Sequence, residues 1–186
     1  RYLITLPLLL PLMRAQGGIA PVWRALRAHP LAWLRCSAIG FVVFYLLLAY
    51  AASSGPSWLV AGSFQVTVIA GMLCAPLLYR HAGAGDARRK IPAAALAVGV
   101  LILAGVLLLQ LGHAQGRLDR SGWVALSCVL ASAVLYPLGN RLLLLHLERS
   151  GENLNATQRV FGMTLASQPL WWLVAAFAWH RAGAPP

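Results

Sequence analysis

Gln65 and Thr67, in Ala61-Gly62-Ser63-Phe64-Gln65-Val66-Thr67, and Asn140 and Arg141, in Tyr136-Pro137-Leu138-Gly139-Asn140-Arg141, interrupt runs that are otherwise apolar. A carboxamide or hydroxyl in such a setting can hold a solute by hydrogen bonds, or it can bond a neighbouring helix. Both readings are open for Gln65. Asn140 caps a helix kink or contacts a ligand; Arg141 snorkels to an interface or attracts an anionic group. Pro137 removes a backbone donor and frees the Ala133 carbonyl, and Gly139 admits another backbone, so this helix is expected to kink or break. Ser167 and Gln168 directly precede Pro169 and are expected to re-satisfy backbone groups that the proline loosens.

Aromatic residues accompany these polar groups. Phe44 and Tyr45 lie at mid-depth of one apolar run and Trp171 and Trp172 at mid-depth of another, whereas Trp58, Trp123 and Trp179 flank helix ends. Mid-depth rings pack, and they can also cradle an organic cation by cation–π attraction; rings at helix ends suit the membrane interface.

Catalytic and metal-binding patterns are not evident. Acyl or phosphoryl chemistry needs a nucleophile with a base, or paired carboxylates, around one cavity. The acids are Asp86, Asp119, Glu148 and Glu152, all assigned to loops. Asp86 and Asp119 read as solvated partners of flanking arginines. Cys36, Cys74 and Cys128 occur singly, without CxxC or CxH spacing, and read as packing residues. His29, His81, His113, His146 and His180 fall at helix ends or in loops on both sides of the expected bundle, so no metal cluster or cofactor is expected.

The elements that position these groups follow from composition. Of 186 residues 60% are hydrophobic and 10% charged, with 15 basic against 4 acidic residues and a net charge of +11. A soluble surface draws on roughly 25% charged residues, and the mean hydropathy here is +0.72, so lipid is the solvent for most of the chain. Nucleic-acid binding is disfavoured, because the basic residues lie between long uncharged runs rather than on one patch.

Cys36 to Tyr79 is 44 residues without Asp, Glu, Lys or Arg. As helix at about 1.5 Å per residue this is roughly twice a bilayer core, so it must cross twice. The turn falls at Ser53-Ser54-Gly55-Pro56-Ser57. Six segments result: A, Tyr2 to Met13; B, Leu34 to Ala52; C, Trp58 to Tyr79; D, Pro92 to Leu111; E, Trp123 to Leu145; F, Val160 to Trp179. Segment A is too short to span alone, and the start at Arg1 suggests that the cellular protein is longer. The loops A–B, C–D and E–F carry Arg14, Arg24, Arg27 and Arg35, then Arg80, Arg88, Arg89 and Lys90, then Arg141, Arg149 and Arg159. Placing them in the cytoplasm puts eleven of the fifteen basic residues on one side, and the segments alternate without conflict.

Small residues recur at four-residue spacing in Gly71 with Ala75, Ala95 with Gly99, and Gly162 with Ala166, as close helix crossings require. Arg159 to Leu170 aligns without gaps on Arg1 to Leu12, matching the arginine and the final Pro-Leu. The two stretches lie five helices apart with opposite membrane direction, as an inverted repeat requires.

Phe44-Tyr45, Gly55 through Gly62, Gln65-Val66-Thr67, Ala70-Gly71, Ala75-Pro76-Leu77, Tyr136 through Arg141, Gln158-Arg159-Val160 and Met163 through Ser167 resemble the EmrE-like bacterial multidrug resistance efflux transporter family of the drug/metabolite transporter superfamily. The resemblance covers essentially the whole chain. It implies an all-α polytopic fragment of a ten-helix fold built from two inverted five-helix repeats, with a central cavity and alternating access. Residues 1–112 would then end the first repeat (helices two to five), 113–121 would join the halves, and 122–186 would begin the second repeat (helices six and seven). Related small multidrug transporters couple export to protons through a glutamate in their first helix. No segment here carries a carboxylate, so protons stay an open coupling ion.

The expectation is a non-enzymatic secondary transporter of a small organic solute, most readily an exporter, in the bacterial cytoplasmic membrane. Phe44, Tyr45, Trp58, Gln65, Thr67, Tyr136 and Asn140 would line its site, in a cavity formed by B, C and E. Pro137, Gly139 and Pro169 would serve as helix-break or gating positions. The rival expectation is a membrane scaffold whose polar residues only hold helices together. The bacterial assignment is compositional, since arginine outnumbers lysine 14 to 1.

Overall fold

A computed structural model describes residues 2–81, 93–114 and 119–182, and these are helical with short connections and no strand among them. The elements are α1 (Tyr2–Ala15), α2 (Ala20–Ala28), α3 (Pro30–Ser37), a π-helical stretch (Ala38–Val43), α4 (Phe44–Ser54), α5 (Ser57–Ser63), α6 (Val66–His81), α7 (Ala93–Ala114), α8 (Arg120–Ser150) and α9 (Ala156–Ala182). Each of the six expected segments corresponds to helix: A to α1, B to α3 through α4, C to α5 and α6, D to α7, E to α8 and F to α9. Among the described residues four stretches are long and apolar enough to cross a membrane: Pro30–Ser54, Ser57–Cys74, Arg120–Ser150 and Ala156–Arg181. Asp86 and the basic cluster Arg88, Arg89 and Lys90 lie outside the described residues.

Three features depart from expectation. The stretch read as the A–B loop contains α2, which sets Val22 and Ala25 inward and leaves Trp23, Arg24 and Arg27 exposed. Proline at its first turn and apolar residues at i, i+3 and i+4 explain it. Segment C is broken rather than continuous: Phe64 and Gln65 separate α5 from α6, with Gln65 N bonded to Gly62 O at 3.1 Å and Val68 N to Gln65 O at 3.1 Å. These tight turns follow Gly62 and Ser63, both weak helix formers. Conversely α8 runs unbroken through Pro137 and Gly139, and α9 through Pro169. Packing on both flanks holds α8 continuous across its proline.

α8 is the central element, packed against α3, the π stretch, α4, α5 and α6. At one end Met13, Val22, Trp33, Cys36, Phe41, Leu143, Leu147, Phe161 and Met163 form a buried cluster. At the other end Ala51, Ala125 and Val129 pack with Val60 and Phe64. Between helices in lipid the hydrophobic effect gives little, so close van der Waals fit must hold the bundle. Two glycines of the small-residue steps lie at such contacts: a methyl placed on Gly99 would meet Ile69 at 3.2 Å and on Gly162 the Trp33 ring at 2.5 Å, whereas on Gly71 it would meet Pro137 at an ordinary 3.6 Å.

Two of the three basic connections that the charge pattern groups lie together; the α6–α7 connection is outside the described residues. Asn155 Nδ2 donates to Gln16 O at 3.0 Å and Gln158 Nε2 to Gly18 O at 3.3 Å, so the α1–α2 and α8–α9 connections share one end. The α4–α5 turn at Gly55 abuts Ala125 near the start of α8, at the opposite end. Asn155 and Gln158 also form a reciprocal cap on α9, Gln158 N donating to Asn155 Oδ1 at 2.8 Å and Asn155 N to Gln158 Oε1 at 3.0 Å.

Asp119, read from the sequence as a partner of flanking arginines, caps α8; Arg117 lies outside the described residues. Its Oδ1 accepts from Gly122 N at 2.9 Å and its Oδ2 from Ser121 Oγ at 2.7 Å, satisfying donors that a helix start leaves open. α8 ends at Gly151 with φ of 72°, where Glu152 N donates to Leu147 O at 3.0 Å, a closure that favours glycine.

Candidate functional site

The π stretch passes Gly40 across Gly139, with Gly139's missing side chain making room for the Gly40 backbone. One turn along each helix, Phe44 meets Tyr136 at a ring-centroid distance of 5.1 Å. Phe44 also lies 6.0 Å from Phe64 and 6.2 Å from Tyr45, and Tyr45 stands edge-on to Trp171 at 5.9 Å. The five rings thus join α4, the α5–α6 break, α8 and α9. Phe44 is buried, whereas Tyr45 and Trp171 are half-buried and Tyr136 is more open.

Tyr136 belongs to a second feature as well. A cavity of about 340 Å³ opens between α6 and α8, lined by Val68, Gly71, Met72, Tyr136, Pro137, Asn140 and Arg141. That volume is at the small end of ligand pockets. Gly71, lacking a side chain, leaves space against Pro137. Asn140 Nδ2 donates to Tyr136 O at 2.9 Å, back along its own helix, which holds the amide at the cavity wall. Arg141 is half-buried there.

Of the residues singled out in the sequence, Phe44, Tyr45, Tyr136, Asn140, Pro137 and Gly139 are brought together around the ring cluster and the cavity. Gln65 is exposed at the α5–α6 break and does not line the cavity; its side chain makes no hydrogen bond to another helix among the described residues. Thr67 Oγ1 donates to Phe64 O at 2.6 Å, closing that break locally, and Trp58 opens α5. In α9 the polar pair before Pro169 serves a different carbonyl from the one the proline frees. Ser167 Oγ and Gln168 Nε2 both donate to Thr164 O, at 2.8 and 3.1 Å, whereas Pro169 loosens Leu165 O.

Phe64, Val68, Met72 and Trp171 were not singled out as site residues. Apolar type alone does not distinguish them from lipid-facing neighbours. The only signal for this seam was the Gly71 step, which marks a close approach. The histidines also behave unexpectedly: His29 and His146 stack edge-on with centroids 4.7 Å apart, because α3 and α8 run antiparallel. Among the described residues no group of three or more metal-ligating side chains forms.

With this bundle and cavity in place, comparison with known families is informative. The family model for EmrE, described as "Putative multidrug resistance efflux transporter", matches residues 1–186, the whole chain. The chain belongs to this family. Together with the apolar spans, membership makes it a multi-pass membrane protein. Among similar proteins, "Uncharacterized protein YjlA" of Bacillus subtilis (strain 168) is 39% identical over 189 residues, covering 100% of this chain and 57% of the relative. An "Uncharacterized 42.1 kDa protein in intracellular alkaline protease 3'region" of Shouchella clausii is 34% identical over 186 residues, covering 100% of this chain and 48% of that protein. The chain therefore spans about half the length of these curated relatives. No solved structure matches.

Proposed function

We propose that this EmrE-family chain is part of a secondary-active transporter that exports a small organic solute across the bacterial cytoplasmic membrane by alternating access. The observation that carries the reading is the cavity between α6 and α8, walled by Tyr136, Asn140 and Arg141, and adjoining the Phe44 ring cluster within a bundle of membrane-crossing helices. Rings supply an apolar wall for a solute's body, and the amide and guanidinium supply direction. Phe44, Tyr45, Tyr136 and Asn140 act at the site. Gln65 and Thr67 act at the α5–α6 break, which serves as a joint that absorbs backbone rotation as the halves rock. Gly139 is a pivot against Gly40, and Pro137 a cavity wall.

The wider architecture in this reading is two inverted five-helix repeats, with residues 1–112 ending the first, 113–121 joining them and 122–186 starting the second. Two features support it: the alignment of Arg159 to Leu170 on Arg1 to Leu12, and the packing of α1 against α9 that carries those stretches. The scaffold reading is supported by Asn155 and Gln158, which brace the α1–α2 connection, but not by the polar groups within the spans. Thr67, Asn140, Ser167 and Gln168 donate to carbonyls of their own or the immediately preceding turn, not to other helices.

Alternating access is tested by labelling Asn140→Cys in full-length protein whose Cys36, Cys74 and Cys128 have been replaced. A membrane-impermeant maleimide should reach it from each side of sealed vesicles in turn, with the balance shifted by a proton gradient or by substrate. Labelling confined to one side under every condition would count against transport through this cavity.

A further inference from the structure

The cavity holds one charged side chain, Arg141, and among the described residues, which do not include Asp86, that charge has no counterpart. Among the described residues its guanidinium makes no hydrogen bond and no ion pair. The nearest acid along α8 is Glu148, seven residues or roughly 10 Å further along the helix. Glu152 lies beyond the helix end, and Asp119 is committed to capping α8 at the opposite end. No carboxylate lines the cavity. A half-buried guanidinium in a membrane bundle is costly to leave uncompensated. Snorkelling would relieve it by taking the group towards the interface; an anion bound in the cavity, which Arg141 lines beside Asn140 and Tyr136, would relieve it in place.

Three donor-bearing residues thus line the cavity together: Arg141, Tyr136 and Asn140, whose Nδ2 also donates to Tyr136 O. Arginine's planar fork matches the two oxygens of a carboxylate or phosphate and binds them in a charge-assisted pair. The remaining wall is apolar, formed by Val68, Met72 and Pro137, with the Phe44 ring beyond Tyr136. An organic cation would find rings but also an uncompensated positive charge.

We propose that this cavity takes a small organic anion, whose carboxylate or phosphate oxygens dock on Arg141 beside Asn140 and Tyr136 and whose apolar or aromatic body lies along Val68, Met72 and the rings. The inference rests on the cavity being the solute pathway and names the class of solute that pathway accepts. The same oxygens could be offered by a lipid headgroup, which the test separates.

Full-length protein in phosphatidylcholine nanodiscs is titrated with three probes of one aromatic body: 2-naphthoate, neutral 2-naphthamide and a 2-naphthyl trimethylammonium salt. Binding is read by calorimetry. The anion should bind about tenfold tighter than the amide, as one charge-assisted pair implies, with the cation weakest. Arg141→Gln should erase the preference for the anion while keeping amide affinity, and Arg141→Lys should retain part of it. A cation or amide that binds best, or an anion preference that survives Arg141→Gln, overturns the inference. The wild-type ranking needs no variant, so a misfolded Arg141→Gln leaves the test decisive. Competition of naphthoate by phosphatidylglycerol in the nanodisc would assign Arg141 to a lipid phosphate and overturn the solute reading. Binding of none of the probes removes both this inference and the cavity's role. A tightly bound, vesicle-accumulated cation would remove this inference alone and leave transport standing.

Discussion

Gly40 and Gly139 meet with no side chain between them. A methyl built on Gly139 would fall 2.5 Å from both the Cα and the N of Gly40, and 2.8 Å from Cys36 O. The contact fixes how closely the π stretch crosses α8, and so the depth at which Phe44 meets Tyr136 one turn away. Gly139→Ala should destabilise the protein by about 1–3 kcal/mol, because backbone on both sides must move. Gly71→Ala is the control: its added methyl meets only Pro137 at 3.6 Å, an ordinary contact, and should change stability by less than about 0.5 kcal/mol. Thermal unfolding of both variants in the same detergent checks the contrast; equal effects would show that the crossing is not fixed at Gly139.

The Asn155–Gln158 cap joins two connections at one end of the bundle. Asn155→Ala removes a helix cap and the bond to Gln16 O together, and should cost about 1–2 kcal/mol. Faster amide exchange should appear both at the start of α9 and across Gln16 to Ile19. Acceleration limited to α9 would mean that the two connections are not coupled.

Asp119 makes the start of α8 sensitive to acid. Hydrogen bonds from Ser121 Oγ, the larger influence, and from Gly122 N hold its carboxyl below the ordinary carboxylate range. A group whose folded pKa is depressed contributes stability that is present above its unfolded pKa and lost as pH falls through the folded value. Protection of the first turn of α8 should therefore hold at neutral pH and decline only in the acid range below the usual carboxylate pKa. Asp119→Asn, which caps without titrating, should flatten that decline. The same pH dependence in the variant would point to another group.

Thr67 closes the α5–α6 break by bonding Phe64 O. Thr67→Val keeps the shape of the side chain and removes that bond, at a cost of about 0.5–1.5 kcal/mol. If the break is a joint in transport, the variant should alter turnover more than substrate affinity. An affinity change with turnover intact would instead place Thr67 in contact with solute.

Much of this fold was legible because lipid imposes strong rules. Long uncharged runs and the Ser53–Ser57 turn located six segments that are all helical, and Gly139 was recognisable as a point of close backbone approach. Helix irregularities were not. Proline is the strongest local signal for a break, yet α8 passes through Pro137 because α4 and α6 pack along it. The actual break at Phe64 and Gln65 depends on weak local preferences that tertiary packing resolves. α2 was hidden by its arginines, which the charge pattern assigned to a loop. Site residues were half legible for the same reason: Asn140 and Tyr136 stand out in a polar-aromatic group, but Val68 and Met72 look like any lipid-facing apolar residue until α6 is set against α8.

The most direct test of the central claim is solute flux. Inside-out vesicles carrying the full-length protein are offered radiolabelled amino acids, naphthoate and a quaternary-ammonium dye, with and without a proton gradient. Asn140→Ala and Gln65→Ala proteins are measured alongside. The account predicts accumulation of at least one solute by the wild type, abolished by Asn140→Ala and only reduced by Gln65→Ala, because Asn140 lines the cavity and Gln65 does not. Accumulation untouched by Asn140→Ala, or lost only with Gln65→Ala, would contradict it.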